Sequence, residues 1–419
     1  MRIAPPGGPP DARTEPQALI KEARRRQRRR WLAAGVAVAA VLAGVAGVTA
    51  GVTGHLPGLP GPRSHPRSQE AARQAVAPAP IPRSIGTTLV MWPAGLGQCC
   101  GPVAVDDLST GRLTQGQQPA IGAGDFQPLL VQAGRWLVYV GDDGVVNAIA
   151  DDLTGRPRVL GPTPFFAPAA APGRVWLFQV RHGMQGPIRA WTVVLSGGPP
   201  SRPVTLPAGA YLPAVRGTDA GLLLQVPQGL ALWNPGSVPR ILPSSPDAAD
   251  GFDATSRLVA YGTGCASQAT APDAPHNPNA GYGTCQVLRV LDVVTGKLIS
   301  FPAPPGTAGW VPGGFGLVSA IAHDDQMIAA YAAIRPQGAG QVRLYVMRIA
   351  GPSRRAMPVP SSAADLFART AWSADDTWLL YQGPGGHLWA YQVTSGQTRA
   401  SSTPCCQYTV MAAVPSRSG

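Results

Sequence analysis

The sequence is short of charge, and all of its glutamates lie near the amino terminus. Charged residues make up 13% of the 419 residues, and the three glutamates are Glu15, Glu22 and Glu70. Glycine and proline are abundant instead, with 51 and 46 copies. Because both residues interrupt helices, this composition argues against long solvent-facing helices. Any carboxylate site beyond residue 70 has to be built from aspartate.

Motifs of common catalytic and metal sites are missing as well. The chain has no G-x-S-x-G segment and therefore no nucleophile elbow. The histidines beyond residue 85 stand singly, without the spacing of metal ligands, at His182, His276, His323 and His387. Five Asp-Asp pairs fall at predicted strand ends or turns, where aspartate caps the backbone: 106–107, 142–143, 151–152, 324–325 and 375–376. The sequence assigns no catalytic residue, metal ligand or cofactor.

The net charge of +12 is concentrated ahead of the main part of the chain. Residues 1–30 contain nine Lys and Arg against three acidic residues, whereas residues 85–419 contain 21 against 18 aspartates. A nucleic-acid-binding domain carries its excess of basic residues on its own surface. The sequence therefore argues against nucleic acid as a partner.

The basic residues lead into an uncharged run of 23 residues, 31–53. As a helix this run would be about 35 Å long, enough to cross a hydrocarbon core of roughly 30 Å. We predict a single transmembrane helix that keeps the tail 1–30 in the cytoplasm, because positive charge marks that side: Arg24, Arg25, Arg26, Arg28, Arg29 and Arg30. Signal-peptidase cleavage after "VTA" (48–50) and export through a twin-arginine-like "RRRWL" (28–32) are the alternatives. Every one of these interpretations places the later residues outside the plasma membrane.

Residues 54–84 contain seven prolines and show no apolar period. This composition predicts a disordered linker between the membrane helix and a folded domain at 85–415. Extended at about 3.1 Å per residue, the linker would hold that domain away from the bilayer.

From residue 85 onward one unit recurs, consisting of a strand, a turn that contains glycine, and a second strand. The turn glycines are Gly111, Gly155, Gly197, Gly236, Gly296, Gly351 and Gly396. Their spacings range from 39 to 60 residues, and a period of about 40 to 50 built from short strands is typical of β-propeller blades. We predict an all-β, seven-bladed propeller, with six or eight blades as the alternatives.

Each hairpin follows an apolar run of high β-propensity, such as "WLVYV" (136–140), "GLLLQV" (221–226) and "TWLLYQG" (377–383). Most of these runs follow a short segment opened by an aromatic residue: Phe126, Phe165, Tyr211, Phe252, Phe315 and Phe367. The first unit starts at its second strand, "TTLVMW" (87–92), and the matching first strand is "QYTVMAAV" (407–414). The propeller would therefore close through a sheet shared by both ends of the chain.

The six cysteines fit this closure. Cys99 and Cys100 follow the first predicted strand and Cys405 and Cys406 precede the last, so that pairing these strands brings the doublets together. Because an exported domain meets oxidising conditions, we predict at least one disulfide between the doublets. A vicinal ring in each doublet and free buried thiols are the alternatives, and the pairing within a cross-link stays open.

The remaining cysteines, Cys265 and Cys285, end and begin predicted antiparallel neighbours, which predicts a bridge between them. That bridge would close the 19-residue segment 266–284, which carries groups suited to polar contacts: His276, Asn277, Asn279 and Tyr282. A loop restrained at its base loses less entropy on binding, so we predict a recognition element. A tolerated surface insertion is the alternative.

The predicted second strands resemble those of the TolB-type and WD40-like propeller families, as in "DATSRLVAY" (253–261) and "WSADDTWLLY" (372–381). The turns at 106–112, 151–156 and 292–297 resemble those of quinoprotein and YVTN-type propellers. The chain departs from these families because its Asp-Gly turn is never complete, Trp-Asp dipeptides are absent, and no α/β domain of the TolB kind precedes the repeats. The resemblance implies a propeller fold and carries no partner over.

We therefore predict a membrane-anchored, extracytoplasmic bacterial propeller with a non-catalytic binding, scaffolding or sensing role. Its partner would be a protein or a cell-envelope component. The alternative is a propeller enzyme with a site at the central channel. "SADDTW" (373–378) is similar to the Asp-box of sialidase-like hydrolases, and Cys99-Cys100 is similar to the vicinal disulfide of quinoproteins.

Overall fold

The computed structural model describes residues 79–416 apart from gaps at 94–99, 125–126, 129, 142, 154, 164, 181–186, 244–250, 266–283, 312–318, 335–341, 352–354, 361, 363–369, 384–386 and 402–407. The described residues belong to the compact unit Val76–Gly419. The predicted tail, transmembrane helix and most of the linker lie outside them. Within the described part, no helix has the length and apolar character needed to cross a membrane.

The described residues form strands and one short turn of 3-10 helix, Arg83–Ile85. The strands as far as residue 241 are β1 (Thr87–Pro93), β2 (Cys100–Asp107), β3 (Arg112–Gly124), β4 (Gln127–Pro128), β5 (Leu130–Gln132), β6 (Trp136–Val140), β7 (Val146–Ala150), β8 (Arg158–Gly161), β9 (Phe165–Pro168), β10 (Arg174–Val180), β11 (Ile188–Val194), β12 (Val204–Thr205), β13 (Tyr211–Thr218), β14 (Gly221–Val226), β15 (Gly229–Trp233) and β16 (Arg240–Ile241). The later strands are β17 (Gly251–Ala254), β18 (Leu258–Cys265), β19 (Cys285–Asp292), β20 (Leu298–Pro302), β21 (Thr307–Trp310), β22 (Ser319–Ile321), β23 (Met327–Ile334), β24 (Val342–Arg348), β25 (Met357–Pro358), β26 (Thr370–Trp372), β27 (Trp378–Gln382), β28 (Leu388–Gln392), β29 (Thr398–Ala400) and β30 (Tyr408–Pro415).

These strands build antiparallel sheets in which most neighbours in sequence are neighbours in space. We name the four-stranded ones the second (β5–β8), third (β9–β12), fourth (β13–β16) and last sheet (β26–β29). A nine-stranded sheet contains two similar groups, its first half (β17–β20) and its second half (β22–β25). Strand β21 joins the halves by pairing with β19 and with β23. The described domain is all-β, as the sequence predicts.

The closing sheet, β30–β1–β2–β3–β4, unites the two ends of the domain. Strand β30 runs antiparallel to β1, with Val414 opposite Thr88 and Tyr408 opposite Pro93. The hydroxyl of Ser416 extends this contact by donating to the Asp107 carboxylate at 2.9 Å. The carboxy-terminal strand thus supplies the strand that the first repeat lacks, which is the pairing predicted from 87–92 and 407–414.

The apolar runs are buried on both faces of their sheets. Leu89 packs into a cluster shared with the last sheet, whereas its neighbour Val90 packs into one shared with the second sheet. In β14, Leu222 faces the third sheet and Leu223 faces the nine-stranded sheet. Because successive side chains of a strand point to opposite faces, such double burial requires continuous apolar runs rather than alternating ones.

The first strands of neighbouring sheets contact one another in succession. The contacts run from β30 to β5, β9, β13, β17, β22 and β26, and from β26 back to β30. The succession therefore returns to its starting strand. The first strands form a closed inner circle, and the later strands of each sheet lie farther out.

The turn glycines chosen from the sequence all have positive φ, between 71° and 123°. Gly296 shows the reason. Its N–H donates to the carbonyl oxygen of Asp292 at 2.8 Å, while the carboxylate of Asp292 accepts the N–H groups of Val294 and Thr295. A Cβ at Gly296 would meet nothing within 4 Å. The left-handed backbone, and not a lack of space, therefore favours glycine here.

The chain is already packed against the domain at Ala79, ahead of the predicted boundary at residue 85. The N–H of Ala400 donates to the carbonyl oxygen of Ala79 at 3.1 Å, and Pro80 forms a parallel bridge with Ala400. Ile81 and Ile85 pack into the apolar cluster between the last and closing sheets. The end of the linker therefore lies along β29.

Candidate functional site

Cys265 and Cys285 form a disulfide, with their sulfur atoms 2.14 Å apart. Cys265 is the last residue of β18, Cys285 is the first residue of β19, and the two are opposite each other in the antiparallel register. Cys285 is fully buried and pairs on its other side with Trp310 of β21. The strands therefore hold both ends of the segment 266–284 side by side.

The other predicted site residues lie outside the described parts of the structure: His276, Asn277, Asn279, Tyr282, Cys99, Cys405, Cys406, Arg24, Arg25, Arg26, Arg28, Arg29 and Arg30. For Cys100 the backbone is described, at the start of β2. The contacts of the loop residues, the link between the cysteine doublets and the membrane orientation therefore stay predictions.

A polar cluster that the sequence analysis did not single out lies where the first strands of three sheets meet. We define this polar cluster as Arg216 in β13, Asp253 in β17, His323 and Asp325 after β22, and Asp376 before β27. Asp253 joins the two halves of the nine-stranded sheet, because its Oδ2 accepts a hydrogen bond from the N–H of Ile321 in β22 at 2.8 Å. Its Oδ1 accepts from the N–H of Ala254 at 2.8 Å.

Asp376 connects the last sheet to the nine-stranded sheet. Its Oδ1 accepts from the N–H of His323 at 3.0 Å and lies 2.7 Å from Nδ1 of the same residue. Its Oδ2 accepts from the N–H of Asp324 at 2.8 Å. One carboxylate thus satisfies two backbone donors in a turn of the neighbouring sheet, which fixes that turn against the last sheet.

Asp325 and Asp376 reach the neighbouring sheets from an unusual backbone conformation. Their φ angles are 60° and 55°, in the left-handed region where Gly134 holds the matching place in the second sheet. Aspartate adopts this left-handed backbone conformation at a steric cost in free energy, which glycine avoids because it has no Cβ. In return, Asp376 holds the turn at His323, and the carboxylate of Asp325 hydrogen-bonds the side chain of Thr255.

Burial sets the electrostatics of the polar cluster. It raises the pKa of Asp253 to about 6, although the Ile321 N–H and the positive charge of Arg216 act in the opposite direction. Burial also lowers the pKa of Arg216, whose Nε has no hydrogen-bond partner among the described residues. The hydrogen bond with Asp376 raises the pKa of His323. The cluster therefore contains groups that change charge near neutral pH.

A groove of about 330 Å³ borders the polar cluster on the side of the turns between first and second strands. Its charged walls include Arg257, Asp292, Asp324 and Asp325, and buried apolar residues such as Leu258 form its floor. Arg257 donates from Nη2 to Asp292 Oδ2 at 2.7 Å and thereby ties two turns of one sheet together. The groove can offer polar and charged contacts to a small group.

The sequence missed the polar cluster because it treated both members of each Asp-Asp pair alike. In the pairs 324–325 and 375–376 the first member does cap the backbone: Asp324 accepts from the N–H of Gln326 at 2.9 Å, and Asp375 accepts from the N–H of Thr377 at 3.2 Å. Of the second members, Asp376 reaches the neighbouring sheet, and Asp325 reaches Thr255 in the other half of its own sheet. The signal was available in the incomplete Asp-Gly turns, where aspartate occupies the position of glycine.

Comparison with protein-family models finds no match, and comparison with curated proteins finds none either. Among solved structures, the chain is similar to the Cps50 (Swd1) β-propeller domain of Myceliophteria thermophila, with 12% identity over 66% of this chain and 86% of that one and a TM-score of 0.39. It is similar to apo AztD from Citrobacter koseri, with 12% identity over 78% and 98% and a TM-score of 0.43. It is also similar to dihydro-heme d1 dehydrogenase NirN, with 13% identity over 81% and 77% and a TM-score of 0.43. The fold described above rests on the strand pairing of the chain itself.

Proposed function

We propose that the domain is a seven-bladed β-propeller. Dividing the nine-stranded sheet at β21 gives seven groups of four strands when the closing sheet is counted as β30, β1, β2 and β3. Apolar clusters lie between each group and the next, and one of them joins the last sheet to the closing sheet. A circle of face-to-face sheets leaves no sheet face unpaired, and the edges that stay open in such an arrangement are short.

We further propose that residues 31–53 anchor this propeller in the plasma membrane as a single-pass protein, with the propeller outside the cytoplasm. The uncharged run and the preceding arginines support the anchor and its orientation. The Cys265–Cys285 disulfide supports the location outside the cytoplasm, because disulfides persist where conditions are oxidising.

We infer a non-catalytic role in binding or scaffolding, exercised through the segment 266–284. The disulfide at the base of that segment carries the inference. Strands β18 and β19 are already paired from Leu258 with Asp292 to Thr263 with Val287, so the bridge adds little to fixing the strands. It restrains the segment that follows, which lowers the entropy lost when that segment binds a protein or cell-envelope partner.

Crosslinking in whole cells tests this function. The intact protein is compared with a variant in which residues 266–284 are replaced by a short Gly-Ser turn, with Cys265 and Cys285 retained. We expect the variant to lose its specific crosslinked partner while it keeps the β-sheet circular dichroism of the intact protein. The reason is that β18 and β19 are paired without the segment.

A second variant serves as the matched control for restraint. The double substitution Cys265→Ser with Cys285→Ser keeps every polar residue of the segment and removes the disulfide that links its two ends. We expect this variant to crosslink the same partner more weakly. An unchanged set of partners in the Gly-Ser variant would show that the segment is a tolerated insertion.

A further inference from the structure

The polar cluster connects strands of different sheets or sheet halves through side-chain hydrogen bonds. Asp253 of the first half of the nine-stranded sheet holds Ile321 of the second half, and Asp376 of the last sheet holds His323 and Asp324. The hydrogen bonds therefore run from one sheet to the next along the inner circle of strands. A change in one member can alter how these sheets fit together.

The cluster concentrates ionisable groups from every element packed around Asp253. Arg216 approaches from β13, His323 and Asp325 from the turn after β22, and both Arg216 and His323 interact electrostatically with Asp253. The surrounding charged groups are Asp324, Asp376 and Arg257. Two groups here lack a hydrogen-bond partner among the described residues, Arg216 at Nε and Asp325 at Oδ1.

We propose that the polar cluster is a pH-responsive joint, which holds the fourth sheet, the two halves of the nine-stranded sheet and the last sheet together more tightly in acid than at neutral pH. Its position on the inner circle makes it suited to this role, because the first strands of these sheets contact each other there. The inference is independent of the function proposed for the segment 266–284.

Both titrating groups act in the same direction. The pKa of Asp253 is raised to about 6 from 3.8 by burial, so the folded protein binds this proton more tightly than the unfolded chain does. The pKa of His323 is raised by Asp376, so its proton also favours the folded state. Stability from both groups is therefore gained as the pH falls from 7.5 through 6, and it is lost as the pH rises again.

The joint also borders the groove described above. Asp325 lines that groove, and its electrostatic partners include Arg216 of the polar cluster. Protonation of Asp253 removes a negative charge beside Arg216 and leaves Asp325 as a remaining acidic partner of this guanidinium. The charge distribution along the groove is therefore linked to the protonation of Asp253.

Hydrogen–deuterium exchange of the full-length protein in detergent micelles tests the proposal. Peptides that cover residues 319–327 contain the three backbone N–H groups held by Asp253 and Asp376. After correction for intrinsic exchange rates, we expect their protection to rise at least about fourfold between pH 7.5 and pH 5.5, which is the part that the two pKa values of Asp253 give over this range. Protonation of His323 adds to this rise, because its pKa is raised by Asp376.

Three variants assign the pH effect to individual residues. Asp253→Asn should lose the part of the change that belongs to Asp253, because its side chain stays uncharged, and keep only the part that belongs to His323. Asp219→Asn is the matched control, because Asp219 is exposed and follows β13 outside the polar cluster, and it should behave as the wild type. His323→Gln should remove part of the change and keep the part that belongs to Asp253.

The third sheet provides an internal control that needs no variant. Strands β9–β12 contain no carboxylate, so their corrected protection should not change between the two pH values. Wild-type protection at 319–327 that is equal at both pH values, or lower in acid, would overturn the proposal whether or not the variants fold. A full wild-type response in Asp253→Asn would overturn it as well.

Discussion

Two adjacent aspartates, Asp106 and Asp107, show how one step along a strand changes the role of a carboxylate. Asp107 accepts from the N–H and hydroxyl of Ser109 and from the hydroxyl of Ser416, and these bonds hold its pKa below the ordinary value although burial acts against them. Asp106 is 2% exposed, and its Oδ1 has no partner among the described residues. Because successive side chains point to opposite faces, one carboxylate meets turn donors and the other meets the core.

Asp106→Asn should stabilise the protein at neutral pH. Burial and the charge of Asp107 raise the pKa of Asp106 to about 6, so the ionised carboxylate costs stability above that pH. The cost disappears as the pH falls toward the unfolded value of 3.8. We expect a gain of about 2 kcal/mol in unfolding free energy at pH 7.5 and almost none near pH 4, measured by urea unfolding.

Asp107→Asn is the matched control, one residue away. It weakens the hydrogen bonds from Ser109 and Ser416, so it should destabilise the protein at pH 7.5. Equal effects of the two substitutions would show that the strand position does not distinguish them.

For single residues, the sequence predicted the backbone conformation better than the side-chain contacts. Each chosen turn glycine has positive φ, because the turn imposes a local backbone requirement that glycine meets at the lowest cost. The partner of Asp376 is 53 residues away, at His323, and no local rule specifies such a pair. Asp325 and Asp376 were therefore interpreted as caps of their own turns.

Strand β30 joins the carboxy-terminal end of the described domain to its first strand. It pairs with β1 over the whole length of that strand and buries Val410 and Val414 on opposite sides. Without β30, the backbone groups of β1 that face it would lose their partners, and two apolar clusters would be opened.

Deletion of residues 404–419 should therefore unfold the whole domain rather than remove one strand from an otherwise intact fold. We expect loss of the β-sheet circular dichroism signal and rapid digestion of residues 87–124 in limited proteolysis. Deletion of residues 417–419, beyond the last described residue, is the control and should change neither measurement. A folded, protease-resistant product of the longer deletion would contradict the proposed closure.

The second strands of the sheets were predicted well, and the first strands less well. "WLVYV" and "GLLLQV" coincide with β6 and β14, because continuous apolar runs between turn residues leave little ambiguity. The aromatic residues Phe165 and Tyr211 open β9 and β13 as expected, whereas Phe126, Phe315 and Phe367 lie outside the described residues. The bridging strand β21 was not predicted, because its pairing with two sheets depends on their distance in space.

For the molecule as a whole, the orientation in the membrane is the proposal with the plainest test. Protease treatment of intact cells should remove the propeller and spare the tail 1–30, because positively charged flanks stay in the cytoplasm. Immunoblotting with an amino-terminal tag would follow the protected fragment, and permeabilised cells provide the control in which the tail is digested too. A propeller found wholly in the culture medium, starting near Gly51, would show signal cleavage instead.

The sequence by itself determined the all-β class, the repeating hairpins, the closing pair of strands and the position of one disulfide. These features follow from local rules or from simple adjacency: glycine at left-handed turns, apolar runs in doubly buried strands, and cysteines at facing strand ends. The tertiary structure alone decided where charge is buried. Arg216, Asp253 and Asp376 come from different sheets, and their pKa values depend on how much water the packed sheets exclude and on which donors they bring within about 3 Å.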